Sequence, residues 1–328
     1  MALVSPPPED LIPALPYTPN LQELLQAVVE EVRPTPAQLE QAQRRGEKVG
    51  QVLQNDRYCE SFLIGGSVAK GTALAPVKDV DVFVLLDEGE WMSTLGTLYH
   101  PRTILARFDE RLTQTYGYLI DQGHVRIRRQ RRSVSVRFTN EHTVNVDVVP
   151  VLRDAGRRLR VLERWTGDWT PTHPKRQIKV LGRHDTSKEP VRDAIRLLKR
   201  WRRAQRVPLP SYALEVLVLL MRHHRSPPAS GALFERVLGY LARTGLQQEV
   251  DVLGHGGGRS GPVTILDPAV AGLNITAEVT VAERQQVVER ARAAQALLAE
   301  LRDIVARGSS WGLKGRLEAM FGVMPRGW

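Results

Sequence analysis

Cysteine is almost absent: Cys59 is the only one in 328 residues. A single thiol excludes an internal disulfide framework and any cysteine cluster for structural zinc, and it fits a reducing compartment. Long apolar runs are missing as well. No segment approaches the ~20 residues that a membrane helix needs, and the opening MALVSPPPEDLIPALPYTPNL lacks the basic start and apolar core of a secretory signal. These absences lead to the expectation of a cytoplasmic protein with no membrane partner. Lysine is scarce, 8 of 46 basic residues, so the net charge of +10 rests mainly on arginine. Such a charge calls for an anionic partner, open between nucleic acid, a membrane surface and small polyphosphates. The arginine bias fits bidentate phosphate binding and genome composition equally well. There is no G-x-x-x-x-G-K-[ST] loop and no internal repeat.

What is present is a chain with a 42% apolar share, enough for one large bilobed unit or two domains. Residues 1–34 are read as a proline-rich N-terminal arm carrying a short helix over LQELLQAVVEEV. At PTPAQLEQ, Thr35 caps a helix with Pro36 at its first position and Gln38 completing a capping box. Leu39, Ala42, Gly46, Val49 and Leu53 then form one stripe at helical spacing. From residue 61 to about 151 the pattern turns strand-like: SFLIG, DVDVFVLL, the pair HVRIRR and SVSVRF around the tip RQRR, and HTVNVDVVPVL. In the pair, Val125 and Ile127 share a face that meets Val134, Val136 and Phe138. Beyond 151 the strand signal fades and amphipathic helices follow, PVRDAIRLLKRW with Val191, Ala194, Ile195, Leu198 and Trp201 on one face being the clearest. GHGGGRSGPVTILDP interrupts them with a turn and a short strand or loop. The expected class is α+β, a mixed sheet covered by the helix from residue 35, with 35–165 as the sheet domain and 166–328 as a helical lobe.

Two carboxylates one residue apart in DVDVFVLL pose the chemical question. Alternation puts Asp79 and Asp81 on one face of a strand while Val80 and Val82 enter the core. Two like charges so placed repel, and a cation relieves them. Oxygen ligands alone suit magnesium, with manganese as an alternative. Asp147 in VNVDVVPV is a third carboxylate on a valine strand, sharing its face with Asn145 and Val149. Three carboxylates allow a pair of ions ~3.5–4 Å apart. Any one of them could be a strand-end aspartate in solvent; the three together, after Gly65-Gly66-Ser67, point to a phosphate site. The two glycines permit close backbone approach, and Ser67 offers its amide and hydroxyl to a phosphate oxygen.

A Gly-Ser turn, Asp-x-Asp on a strand and a third strand aspartate resemble the DNA polymerase beta-like nucleotidyltransferase superfamily. Within it, GGSVAKGTALAPVKDVDVFVLL and NVDVVPV resemble most the CD-NTases, cyclic-oligonucleotide synthases of bacterial antiphage (CBASS) defence related to cyclic GMP-AMP synthase. The resemblance runs from about residue 35 through the second lobe and implies a long N-terminal spine helix and a helical lobe closing a nucleotide cleft. It implies further that Asp79, Asp81 and Asp147 bind two Mg2+ ions and carry catalysis. Gly66, Ser67, Lys199 in AIRLLKRW and Ser211 in LPSYALEVL would hold the triphosphate, and Tyr212 the donor base. The substrates would be NTPs, either ATP and GTP or pyrimidine nucleotides, and the product a cyclic di- or trinucleotide. The alternatives are a nucleotidyltransferase adding nucleotides to RNA or another acceptor, and a nucleic-acid-binding protein. ILDPAVAGLNI is similar to a structural segment near the end of these enzymes. The zinc-binding insertion of cyclic GMP-AMP synthase has no counterpart, since Cys59 is alone and His223-His224 are isolated; the histidine pair is read as decorating a helix end.

Plainer readings stand beside these. Ser211 could cap its helix, Tyr212 could be a core aromatic, and Lys199 could belong to a solvated basic face with Arg196, Arg200, Arg202 and Arg203. The arginine-rich tip of RIRRQRR is the candidate contact for an RNA or DNA regulator, and CBASS partner proteins could engage the C-terminal MPRGW.

Overall fold

The computed structural model describes residues 19–87, 89–91, 99–139, 144–154, 158–181, 186–222, 228–254, 260–307 and 311–324. The extreme N-terminal residues, His223-His224, the glycine run 255–259 and most of MPRGW lie outside them. The chain divides into two compact units, Pro34–Arg183 and a second one made of Met1–Arg33 with His184–Trp328. Helix α1 (Pro19–Val32) therefore belongs to the second unit, and α2 (Pro36–Gln54) opens the first.

The start of α2 is the expected capping box. Gln38 N–H donates to Thr35 Oγ1 at 3.2 Å and Thr35 N–H to Gln38 Oε1 at 3.1 Å, with Pro36 at the first position. Its buried face is Ala42, Gly46, Val49, Gly50 and Leu53. Small residues are required there because the helix lies close on the sheet. A Cβ at Gly50 would come within 2.4 Å of the Phe62 ring, and one at Gly46 within 2.7 Å of Ile64.

Among the described residues the sheet has seven strands: β1 (Cys59–Gly65), β2 (Asp79–Leu86), β3 (Val125–Arg129), β4 (Val134–Phe138), β5 (Asn145–Arg153), β6 (Leu159–Leu162) and β7 (Trp169–Thr172). Their order is β1-β2-β5-β4-β3, with β6 beside the later half of β5 and β7 beside β6. Among the described strands only β2 and β5 run parallel. The short helix α3 (Gly66–Lys70) follows β1, α4 (Pro101–Asp121) precedes the β3–β4 hairpin, and α5 (Pro174–Leu181) ends the unit.

Alternation sorts the strands into two faces. Val80, Val82, Val84, Val134, Val136, Val146 and Val148 are fully buried in one cluster with Val49 and Leu53 of α2 and Ile104, Leu105, Phe108 and Leu112 of α4. Burying each valine contributes about 1.5–3 kcal/mol. Cys59 lies in the same cluster, where burial pushes its thiol up to about 12.

The second unit is helical. It contains α1, α6 (Glu189–Gln205), α7 (Ser211–Met221), α8 (Ser230–Thr244), α9 (Val281–Ala306) and α10 (Leu313–Phe321). The reading of 1–34 as an arm meets a different picture in its described part: Leu21, Leu24, Leu25, Val28 and Val29 of α1 are fully buried, and α1 packs on α6, α8 and α9. Arg33 then joins Asp193 of α6 at 2.6 Å. The boundary expected at 165/166 falls within the first unit, because β7 and α5 continue the sheet domain to residue 183. Among the described residues no helix is long and apolar enough to cross a membrane.

Candidate active site

The polar face of the sheet begins at Gly65, whose partner across the β1–β2 pair is Asp81. Two steric demands explain the Gly-Gly pair. A Cβ at Gly65 would stand 2.2 Å from the Phe83 ring. At Gly66 the backbone is left-handed, with φ +61°, and a Cβ would sit 1.7 Å from Asp81 Oδ2. The carboxylate of Asp81 thus lies directly against the start of the Gly-Ser turn. Ser67 is half-buried beside it in α3.

Parallel pairing of β2 with β5 places Asp79 opposite Asn145 and Asp81 opposite Asp147. All four point away from the valine face. Asn145 Nδ2 donates to Asp79 Oδ1 at 3.3 Å, and its Oδ1 accepts from Phe138 N–H at 3.3 Å. Asp147 faces Ser135 of β4 and accepts from Gln130 Nε2 at 3.4 Å. Burial raises the Asp147 carboxyl above the ordinary aspartate range; a hydrogen bond from Ser135 opposes this, the negative charge of Asp79 adds to it, and Arg137 lowers it.

Among the described residues no three acidic, histidine or cysteine side chains already form a metal cage. The donor set nonetheless fits a hard divalent cation: three carboxylates, oxygen-only, on adjacent strands, with the charge of Asp79 disfavouring that of Asp147. Magnesium commonly keeps waters and takes substrate oxygens, so a loose carboxylate row suits it better than a closed shell.

The other nominated residues lie in the second unit. Lys199 on α6 is buried and its Nζ pairs with Glu215 of α7 at 2.6 Å. The alternative of a solvated basic face is therefore corrected for Lys199 and Arg196: both are buried, and Arg196 is paired with Glu189 and Asp193. Ser211 is the first residue of α7, with Pro210 in the capping position and no side-chain capping bond. Tyr212 donates its hydroxyl to Asp267 of the ILDP segment at 2.7 Å. Asp267 is buried and also accepts from Ala269 N–H at 2.7 Å, which gives that segment a local task.

Sequence reasoning passed over Ser135, Gln130 and Arg137. Strand parity could have found Ser135 and Arg137; Gln130 reaches the site through turn geometry, which spacing does not report.

Residues 20–183, half of the chain, match the family model described as "Second Messenger Oligonucleotide or Dinucleotide Synthetase domain" (SMODS). The chain belongs to that family. A curated relative, the CBASS oligonucleotide cyclase CdnC of Escherichia coli (strain KTE188), is 29% identical to this SMODS chain over 164 residues, which are 48% of this chain and 52% of CdnC. The chain thus spans about half the length of the curated relatives it matches. The solved structure of E. coli MS115-1 CdnC with ATP is similar with a TM-score of 0.74 at 20% identity, covering 93% of this chain and 99% of that one. CdnC in its complex with HORMA-deltaN gives 0.73 at 20% identity, covering 90% and 95%. These likenesses show the SMODS protein's fold, that of the polymerase beta-like CD-NTases.

Proposed function

We propose that this SMODS protein is a divalent-metal-dependent nucleotidyltransferase that joins nucleoside triphosphates into a cyclic di- or trinucleotide, releasing pyrophosphate, in bacterial antiphage signalling. The observation that carries the reading is the row of Asp79, Asp81 and Asp147 on adjacent parallel strands, in register and against the Gly66 turn. The matching family and the CdnC relative supply the product class.

In this reading the three aspartates hold two Mg2+ ions, or Mn2+. When bound, such ions neutralise phosphate charge and make a hydroxyl more acidic. The residues position and neutralise, as phosphoryl transfer requires. Gly66 and Ser67 hold phosphate oxygens of the donor. A ribose hydroxyl of the acceptor attacks the α-phosphorus, its oxygen forms the new ester bond, and the bond to the β-phosphate oxygen breaks so that pyrophosphate leaves. Asp147, on the strand beside Asp81, would help take up the hydroxyl proton. A second transfer within the linear product closes the ring. The likeness to CdnC in its HORMA-deltaN complex supports a protein partner for this chain.

The test is incubation of the purified chain with Mg2+ and all four ribonucleotides, phosphatase treatment and mass spectrometry. A phosphatase-resistant cyclic oligonucleotide is expected without any added acceptor. Products that form only when RNA is added, or none at all, would overturn the reading.

A further inference from the structure

The polar face of the sheet continues past the carboxylates. Ser135 of β4 stands opposite Asp147 on one side and opposite Arg128 of β3 on the other. One row across the sheet therefore reads Gly65, Asp81, Asp147, Ser135, Arg128. On the same face Arg126 and Arg137 lie directly opposite each other. The face is acidic on β2 and β5 and basic on β4 and β3.

Three features mark these arginines as prepared for a ligand. Like charges directly opposite on an antiparallel pair destabilise it, yet Arg126 and Arg137 are paired so, and both are exposed. Their neighbours in the same hairpin are neutralised: Arg129 meets Asp109 at 3.2 Å, and Arg131 and Arg132 meet the buried Glu163 at 2.5 and 3.1 Å. Among the described residues Arg126, Arg128 and Arg137 have no salt bridge. The nearest acids in register are the carboxylates themselves, with Asp147 one strand from Arg137 and two from Arg128.

The order of the strands says which anion fits. The Gly66-Ser67 turn lies on the β1 side of the carboxylates and the arginines lie on the β4–β3 side. An in-line displacement needs the leaving and attacking oxygens on opposite sides of the phosphorus. If pyrophosphate leaves toward the Gly-Ser turn, the attacking hydroxyl enters from the arginine side, and its nucleotide brings its own 5′-phosphates with it. Strand spacing puts Arg128 about 10 Å from Asp147, two strands over, and a guanidinium grips phosphate bidentately across that gap.

We propose that Arg126, Arg128 and Arg137 form a polyphosphate site on the carboxylate face of the sheet, and that it holds the 5′-phosphates of the acceptor nucleotide and, after the first transfer, those of the linear product until that product turns round to present its own α-phosphorus to the carboxylates. The inference rests on the carboxylates being a nucleotidyl-transfer site. It separates the two ends of the reaction: donor phosphates at the turn, acceptor phosphates at the hairpin.

The test measures binding and synthesis separately on the full chain. The binding probe is a 5′-triphosphorylated dinucleotide whose terminal ribose lacks both hydroxyls, titrated with Mg2+ present at several salt concentrations. Replacing all three residues, Arg126→Ala, Arg128→Ala and Arg137→Ala, is expected to weaken binding by at least about tenfold and to flatten its salt dependence. Arg129→Ala, in the same hairpin but held by Asp109, is expected to bind like the parent. In synthesis the triple variant should raise the KM for nucleotide more than it lowers the rate at saturation. Unchanged dinucleotide binding by a folded triple variant overturns the inference, as does binding of duplex RNA, but not of the dinucleotide, through these arginines. A parent chain that binds the dinucleotide through them but makes no product from any nucleotide overturns the proposed synthesis instead and leaves the polyphosphate site standing.

Discussion

On one face of the seven-stranded sheet, Val80, Val82, Val146 and Val148 lie against α2 and α4 without exposure to solvent. On the other, the residues between them are Asp79, Asp81, Asn145 and Asp147, joined across the pleat by Ser135 and three arginines. The same strands supply both, one residue apart. The valine face stabilises the unit, and the polar face spends some of that stability on keeping charges close together and partly buried. The rigid valine layer is what allows the second face to hold repelling groups in register.

Exchanging the character of the faces should give the largest effect. Val146→Asp puts a carboxylate into a site with no polar partner, at a cost of about 3–5 kcal/mol, and we expect little soluble protein, as measured by yield and thermal melting. On the polar face, the double change Asp79→Ala with Asp81→Ala should leave a folded protein whose synthesis falls by at least about a hundredfold, read by product mass spectrometry. Gly66→Ala touches both demands of the turn: the left-handed backbone costs about 1–3 kcal/mol, and the new methyl group displaces the Asp81 carboxylate. Activity should fall further than melting temperature.

Asp147→Asn sharpens the comparison because its two consequences have opposite signs. The folded state raises the Asp147 carboxyl, so its charged form costs stability above that raised value, and the cost vanishes as pH falls through it toward the ordinary aspartate range. Removing the charge should raise the metal-free melting temperature at neutral pH while abolishing synthesis, and the gap should close on acidification. The most local effect is expected of Glu163→Gln, which should loosen the tip held by Arg131 and Arg132, seen as faster amide exchange around residues 130–133.

Parity on the strands was legible from the residues alone, which is why the carboxylates and their valine backs were found on the correct faces. Register was not. Nothing local tells that Asp81 meets Asp147 or that Ser135 lies between Asp147 and Arg128, because those pairings join segments more than fifty residues apart or depend on where a hairpin turns. The four-residue strands β6 and β7 carry polar residues and no run of alternation, so their order comes from pairing with the end of β5. Helix α4 did have a readable stripe in Ile104, Leu105, Phe108 and Leu112 and went unread amid strand signals. The burial of Lys199 and Arg196 was hidden for another reason: their counter-charges Glu215, Glu189 and Asp193 neutralise what spacing alone displays as a basic helix face.

Electron paramagnetic resonance of bound Mn2+, with a non-hydrolysable ATP analogue present, tests the central claim most directly. The account predicts a coupled pair of ions per chain in the parent and loss of that coupling in Asp81→Asn. A parent chain that binds the nucleotide but shows no protein-held Mn2+, or an Asp81→Asn chain with an unchanged spectrum, would contradict it.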